Sequence, residues 1–281
     1  MKKPRSKSTM ADTADKHILY QKSVQSPEFE LDFFRDRYNE IRGGFPQLMR
    51  EDFCGSALLS TEWCKLDPKN KAIGVDVCQD TLNWGIEHNI KPAGEDVASR
   101  VQLLNEDVLK VLPQEKADVV CAMNFSYCIF KKRDILKRYF ENVLKGLNSD
   151  GLFFLDLLGG TETMDVVEED RDVDDDNFVY VWEQEKFNPI NNHILCHIHF
   201  DFADGSRMEN AFTYNWRLWS LPELQEILLE AGFSHVHIYW EEFAEDEDDP
   251  ENDYLVGTGN YRAVTQVDQQ ESWLAYIVAE V

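Results

Sequence analysis

Several acidic side chains in this sequence stand at the ends of short apolar runs, each followed by small or polar residues. The densest case is QLMREDFCGSALLSTEWCKLDPKNKAIGVD, from Gln47 to Asp76. Gln47–Phe53 leads into the tight turn Cys54-Gly55-Ser56-Ala57. A segment with Leu58, Leu59 and Trp63 at helical spacing follows, then the turn cluster Asp67-Pro68-Lys69-Asn70. Ala72–Val75 is a second apolar run and ends on Asp76. The pattern predicts strand, small-residue loop, helix, loop, strand and acid. Such a βαβ unit aims the free N–H groups of a helix N-terminus above the strands, where a polar or anionic ligand fits. An acid at the second strand tip suits the two hydroxyls of a ribose. The loop keeps only Gly55, so a ligand with a ribose and no pyrophosphate fits better than a dinucleotide.

Further strand tips carry similar chemistry. Val101–Leu104 is a third strand and ends in Asn105-Glu106-Asp107-Val108. Ala117–Met123 is a fourth and opens onto Asn124-Phe125-Ser126-Tyr127, beside the switch point of an open α/β sheet. Asn124 either contacts a ligand there or caps the next helix. The fifth strand, Leu152–Leu158, is interrupted by Asp156.

Glu51-Asp52-Phe53-Cys54-Gly55-Ser56-Ala57, followed by Asp76, resembles motifs I and II of the class I, Rossmann-like S-adenosylmethionine-dependent methyltransferases. Phe53 and Ala57 replace the outer glycines of the usual acid-then-G-x-G-x-G, and either Glu51 or Asp52 stands as the motif acid. The resemblance covers about 47–156 and 216–281. It implies S-adenosylmethionine as cofactor, S-adenosylhomocysteine as product, and ribose contacts at Asp76 with Val77 beside it. It also implies an adenine amino contact at Asp107 and a backbone N–H from Val108. Cys54 and Gly55 would line the cofactor, with Asn124 and Phe125 at the fourth tip. An N-terminal helical segment covers the cofactor in related enzymes, which makes Tyr20 a candidate cofactor contact and Tyr38 a candidate substrate contact. Asn124-Phe125-Ser126-Tyr127 resembles the N/D-P-P-Y motif of amino-group methyltransferases, with both prolines absent. Asn124, Tyr127 and Asp156 are the candidate catalytic residues. Tyr214, Trp216 and Arg217 are candidate substrate contacts.

Charge on the first strand needs an explanation. Arg50 and Asp52 alternate on one face, with Met49, Glu51 and Phe53 on the other. An unpaired buried charge is costly. Two readings follow: an internal Arg50–Asp52 pair, or a charge that faces the cofactor's amino-acid end.

The rest of the chain must position these groups. Its 281 residues fit one large domain or a domain with an insertion, and 43% apolar content says globular. Lys plus Arg number 28 against 53 Asp plus Glu, giving a formal charge of −25. That field repels phosphate backbones and argues against nucleic acid as substrate, while it suits a cationic acceptor. The six cysteines form no C-x-x-C pair and read as reduced thiols, so a cytoplasmic setting is expected. No apolar run is long enough to span a bilayer.

The expected fold is α/β: a mostly parallel seven-stranded Rossmann-like sheet with helices on both faces and an antiparallel β insertion. Residues 1–16 read as a disordered tail and 17–46 as a helical lid. Residues 47–158 form the cofactor-binding core, 159–217 the antiparallel insertion on the substrate side, and 218–281 the completion of the core. The acidic runs 168–176 and 245–253 read as solvated loops. His193, His197, His199 and Asp201 share one strand face and read as a polar sheet face or substrate wall, with no metal expected. The function expected is methyl transfer to a small-molecule or peptide acceptor, an amine by the balance of charge. The oligomeric state is left open. A catalytically silent S-adenosylmethionine-binding interaction protein and an NAD-dependent oxidoreductase are the competing readings.

Overall fold

The computed structural model describes residues 8–111, 115–173, 177–245 and 255–281, and they divide into two units. In chain order, α1 (Met10–Thr13) and α2 (Lys16–Val24) belong to the smaller unit. The larger unit begins with α3 (Pro27–Arg42), β1 (Leu48–Asp52), α4 (Leu58–Leu66), β2 (Lys71–Asp76) and α5 (Gln79–Gly85). It continues with α6 (Glu95–Ala98), β3 (Val101–Asn105), β4 (Ala117–Ala122), α7 (Arg133–Gly146) and β5 (Leu147–Gly159). The smaller unit then takes β6 (Val167–Asp172), β7 (Phe178–Asn188), β8 (His193–Phe202) and β9 (Arg207–Arg217). The larger unit closes with α8 (Leu221–Ala231), β10 (His235–Glu245), β11 (Leu255–Val264) and β12 (Trp273–Glu280).

The larger unit is one eight-stranded sheet in the order β11-β10-β12-β5-β4-β1-β2-β3. β3, β2, β1, β4 and β5 run parallel, and β12 pairs antiparallel with both β5 and β10. The expected seven strands become eight because β11 adds an antiparallel edge. Gly257, Gly259 and Asn260 break its apolar alternation and hide it from the sequence pattern. From β1 the chain moves outward to β2 and β3, then returns to β4 on the other side. The carboxyl ends of β1 and β4 therefore border the switch point where open α/β sheets bind ligands.

The two sheet faces carry different charge. On one, α3 and α4 bury Phe33, Phe34, Leu59 and Trp63 against Met49, Val119, Cys121, Leu152, Phe154 and Val278. On the other, Phe153 packs on Tyr139, Phe140 and Phe233. Amphipathic α7 places Leu136, Tyr139, Phe140 and Val143 inward at helical spacing. α8 starts at a Ser220–Glu223 capping box and ends at Gly232, whose φ of 111° few other residues tolerate.

Arg50 and Asp52 face α7. The Arg50 guanidinium donates from Nε to Asp52 Oδ1 at 2.7 Å and from Nη2 to Oδ2 at 2.9 Å, and the Tyr139 hydroxyl donates to the same carboxylate at 2.9 Å. Both charged side chains are fully buried. Gly146 makes room for the guanidinium, because a Cβ there would sit 2.8 Å from Nη1. Of the two readings of the strand's charges, the internal Arg50–Asp52 pair is the one present.

The N-terminal expectations change. Met10–Thr13 is helical, with a Thr9–Asp12 capping box, and the Met10 N–H donates to Asp204 at 2.8 Å. The expected disordered tail therefore fails over its described part, and residues 1–7 lie outside the described residues. The 17–46 lid is not one element. α2 sends Leu19 into the smaller unit's core, while α3 lies on the large sheet. The smaller unit is an antiparallel β6-β7-β8-β9 sheet with turns at 188–192 and 203–206 as expected. The acidic run 168–176 is partly strand: Glu168–Asp172 pairs with β7, and 174–176 lie outside the described residues. Of 245–253, Glu245 ends β10 and the remainder lies outside the described residues. Among the described residues no helix is long and apolar enough to cross a membrane.

Removing one partner of the buried pair leaves the other charge uncompensated. Asp52→Ala is expected to lower unfolding stability by about 3–5 kcal/mol. Replacing both Arg50 and Asp52 by apolar residues of similar volume is expected to recover most of that loss, measured by urea unfolding.

Candidate functional site

The β1–α4 loop keeps a glycine-like backbone with few glycines. Phe53, Gly55 and Ala57 have φ of 58°, 52° and 54°. A left-handed conformation costs a side-chain-bearing residue about 1–2 kcal/mol. Carboxylates hold the loop in this state. Asp76, at the tip of β2, accepts the Gly55 N–H at Oδ2 (2.9 Å) and the Cys78 N–H at Oδ1 (2.8 Å). Glu51 Oε2 accepts the Ser60 N–H at 2.9 Å and its hydroxyl at 2.5 Å, fixing the start of α4. α5 presses the loop from outside: a Cβ on Gly85 would meet the Ser56 carbonyl oxygen at 2.2 Å.

The neighbouring tips are built the same way. Asp107 accepts the Leu109 N–H at 2.9 Å, and Asn142 on α7 donates to the Val108 and Val111 carbonyls. After β4, Asn124 and Phe125 both have φ of 56°. Their N–H groups donate to the two oxygens of Asp156, at 2.7 and 2.9 Å. The Tyr127 hydroxyl donates to the Asp156 carbonyl at 2.7 Å. Val77 is 70% exposed directly after Asp76, an apolar side chain held in the open at a strand tip.

Comparison with known proteins gives a structural likeness only. No protein-family model matches the sequence, and no curated protein does. The structure is similar to an S-adenosylmethionine-dependent methyltransferase from Clostridium acetobutylicum ATCC 824, with TM-score 0.65 and 15% identity over 94% of this chain and 97% of that one. It is similar to an amino pentose methyltransferase from Micromonospora echinaspora, with TM-score 0.64 and 11% identity over 94% and 96% of the two chains. A sugar N-methyltransferase from Streptoalloteichus sp ATCC 53650 aligns with TM-score 0.61 and 14% identity over 95% and 94%.

The chain has the class I methyltransferase fold.

Within that fold, the expected residues fall into three groups. Gly55, Asp76, Val77, Asp107 and Val108 lie at the adjacent carboxyl ends of β1, β2 and β3. Asn124, Phe125 and Asp156 lie together at the ends of β4 and β5. Glu51 shares the α3–α4 face with them, whereas Asp52 points to α7. A second group turns away from this edge. Cys54 is buried with Ala57, Leu82 and Ile90, and its N–H is spent on the Val75 carbonyl. Tyr127 is fully buried, with its hydroxyl on the Asp156 carbonyl. Tyr38 sits in the core near Asp118, Asp150 and Arg42, at the amino end of the strands, where burial lifts its pKa to about 12. The third group belongs to the smaller unit. Tyr20 packs on Phe212 with ring centroids 4.8 Å apart, and the hydroxyls of Tyr20 and Tyr214 are hydrogen-bonded. Tyr214 stacks on Trp216 at 4.4 Å, and Arg217 ends β9.

In the same unit the expected polar sheet face is present, with two of its histidines buried. His197 and His199 are buried, bonded to Glu185 and Thr213 and to Glu183. One ligand atom each of Glu168, Glu183 and His199 lie within 4.8 Å of one another. Arg207 pairs with Glu168 at 3.1 Å and already supplies a cation there.

Sequence reading missed Glu30. It is buried on α3, one turn before Phe33 and Phe34. The available signal was an acid on the apolar face of a helix. Burial, reinforced by the Asp156 and Glu51 carboxylates, holds its pKa well above the usual range. Burial also raises Glu51 and Asp156 to about 7, against the hydrogen bonds that each accepts.

These raised values mean that the folded chain holds protons which the unfolded chain releases near pH 4. The associated stability is complete below that pH and is lost as pH rises through about 7. Glu51→Gln is expected to flatten the wild-type fall in urea midpoint between about pH 5 and pH 8, and an unchanged slope would remove Glu51 as a cause.

Proposed function

We propose that this chain is an S-adenosylmethionine-dependent methyltransferase acting on an amine of a small molecule or peptide. One observation carries the reading. Glu51, Asp156 and Glu30 share one sheet face at the switch point, and among the described residues no cation pairs with them, whereas Arg50 neutralises Asp52 on the opposite face. A sulfonium, an α-ammonium and an amine acceptor are the cations that such a site favours. A dinucleotide would bring a pyrophosphate against the same carboxylates, to a loop with one glycine.

The residues present fit the cofactor. A carboxylate has about four acceptor positions. Asp76 gives two to Gly55 and Cys78, which leaves capacity for ribose hydroxyls. Exposed Val77 offers an apolar face to adenine, with Asp107 and the Val108 N–H at its edge. When bound, S-adenosylmethionine supplies a methyl group already activated by the positive sulfur. The chain's task is then to hold the acceptor in line and to keep its nitrogen neutral. Asp156 accepts one N–H on each oxygen, from Asn124 and Phe125, and so fixes their loop at the border of the site; like Asp76 it keeps acceptor positions beyond these two.

A hydrogen bond to a charged group contributes about 1.5–3 kcal/mol, so Asp76→Asn is expected to weaken S-adenosylmethionine binding by about 10- to 150-fold. Titration calorimetry of the wild type and the variant measures this, with NAD as the comparison. Tight NAD binding with none of S-adenosylmethionine would sink the reading. Transfer of labelled methyl groups to a panel of amines separates an enzyme from a silent binder.

A further inference from the structure

The contacts of α3 give Glu30 a definite place. The Phe33 ring lies 4.7 Å from Tyr276, and Phe34 lies 4.6 Å from Phe154. Tyr276 pairs with Asp156 across β12 and β5, and Asp156 stands two residues beyond Phe154 on the same face, toward the carboxyl end. Glu30 precedes Phe33 and Phe34 by one turn on their side of the helix, so it lies over this end of the face. It is 8% exposed, and no described residue donates a hydrogen bond to it. Asp156 from β5, Glu51 from β1, Tyr276 from β12 and Cys121 from β4 lie near enough to interact with it electrostatically. Phe29 adds an aromatic wall with Tyr261 and Tyr276, at ring distances of 5.5 and 5.8 Å.

The three carboxylates differ in what they have left to offer. Asp156 accepts one backbone N–H on each oxygen, and Glu51 takes the Ser60 N–H and hydroxyl on Oε2, so both are partly satisfied. Glu30 holds no hydrogen-bond donor among the described residues. A buried carboxylate without a donor, beside two others and near aromatic rings, lacks a cation.

We infer that Glu30 receives the acceptor's ammonium group: its carboxylate pairs with the charged amine and then takes one proton, leaving a neutral nitrogen with a free lone pair. The proton ends on Glu30, and no other bond changes in this step. The neighbouring Asp156 and Glu51 favour that proton because they oppose a third negative charge. This inference rests on the methyltransferase reading above.

The test uses the full chain, with methylammonium chloride as the amine probe and methanol as the neutral control. In the complex with S-adenosylhomocysteine, ligand-observed NMR is expected to show Glu30→Gln weakening methylammonium binding at least tenfold. Methanol binding should not change, and S-adenosylmethionine affinity should stay within twofold. Exposed Glu28→Gln controls for net charge and should behave as the wild type. Equal methylammonium affinity in wild type and Glu30→Gln would overturn the inference. So would a tenfold loss of S-adenosylmethionine affinity, which would assign Glu30 to the cofactor's own cation. If the wild type bound no S-adenosylmethionine, the methyltransferase reading would fail on its own. The methylammonium comparison on the free chain would then decide Glu30 separately. A urea midpoint for Glu30→Gln at or above the wild-type value at pH 8 establishes that the variant folds.

Discussion

Carboxylates that grip backbone N–H groups hold the whole carboxyl edge of the large sheet in shape. Asp76 grips Gly55 and Cys78, Glu51 grips Ser60, and Asp156 grips Asn124 and Phe125. The loops so held contain Phe53, Ala57, Asn124 and Phe125 in left-handed conformations that glycine would adopt freely. Strain of that kind persists only where surrounding bonds over-determine it. Charge-assisted hydrogen bonds are about twice as strong as neutral ones, and two on one carboxylate can balance a residue's conformational cost. The chain thus keeps the backbone path of a glycine-rich loop while using larger side chains.

That solution places much negative charge in poorly solvated positions, and the sheet sorts it by face. On the α7 side, Asp52 has Arg50 and Tyr139, and the charge is closed off. On the α3–α4 side, Glu51 and Asp156 have only dipoles, and Glu30 has no donor among the described residues. Hydrogen bonds from amides and hydroxyls lower the energy of an anion without cancelling its field. The first face therefore carries its own counter-charge, although Arg50 Nη1 has no hydrogen-bond partner among the described residues, while the second still attracts a cation. Chemically similar acids on adjacent residues of one strand, Glu51 and Asp52, end in different roles because successive side chains in a strand point to opposite faces.

Much of the architecture was legible from periodicity and turn chemistry. The β1–α4–β2 unit, the strand tips that follow it and the antiparallel insertion of the smaller unit all follow local rules. β11 was not legible, because glycines interrupt it and its partner β10 is far away in sequence. The helical stretch before β1 read as one lid, yet its two halves bury their apolar sides in different cores, with Leu19 in one and Phe33 in the other. Tyr127 and Tyr38 looked like site residues because tyrosine serves both core and active site. Burial alone separates the uses, and burial is a property of the packed sheet.

By itself, the sequence determined the strand tips and the acids they carry, because strand period, turn residues and helix caps act over a few neighbours. Asp76, Asp107, Gly55 and Asn124 were placed at one edge on that ground. Only the tertiary structure decided which of the many acids are satisfied. Whether a carboxylate has a donor depends on elements brought together across the chain, as when α3 carries Glu30 over β5 and β12. A charge count of −25 gives the total. The packing of helix on sheet decides where a part of it is left without a counter-charge.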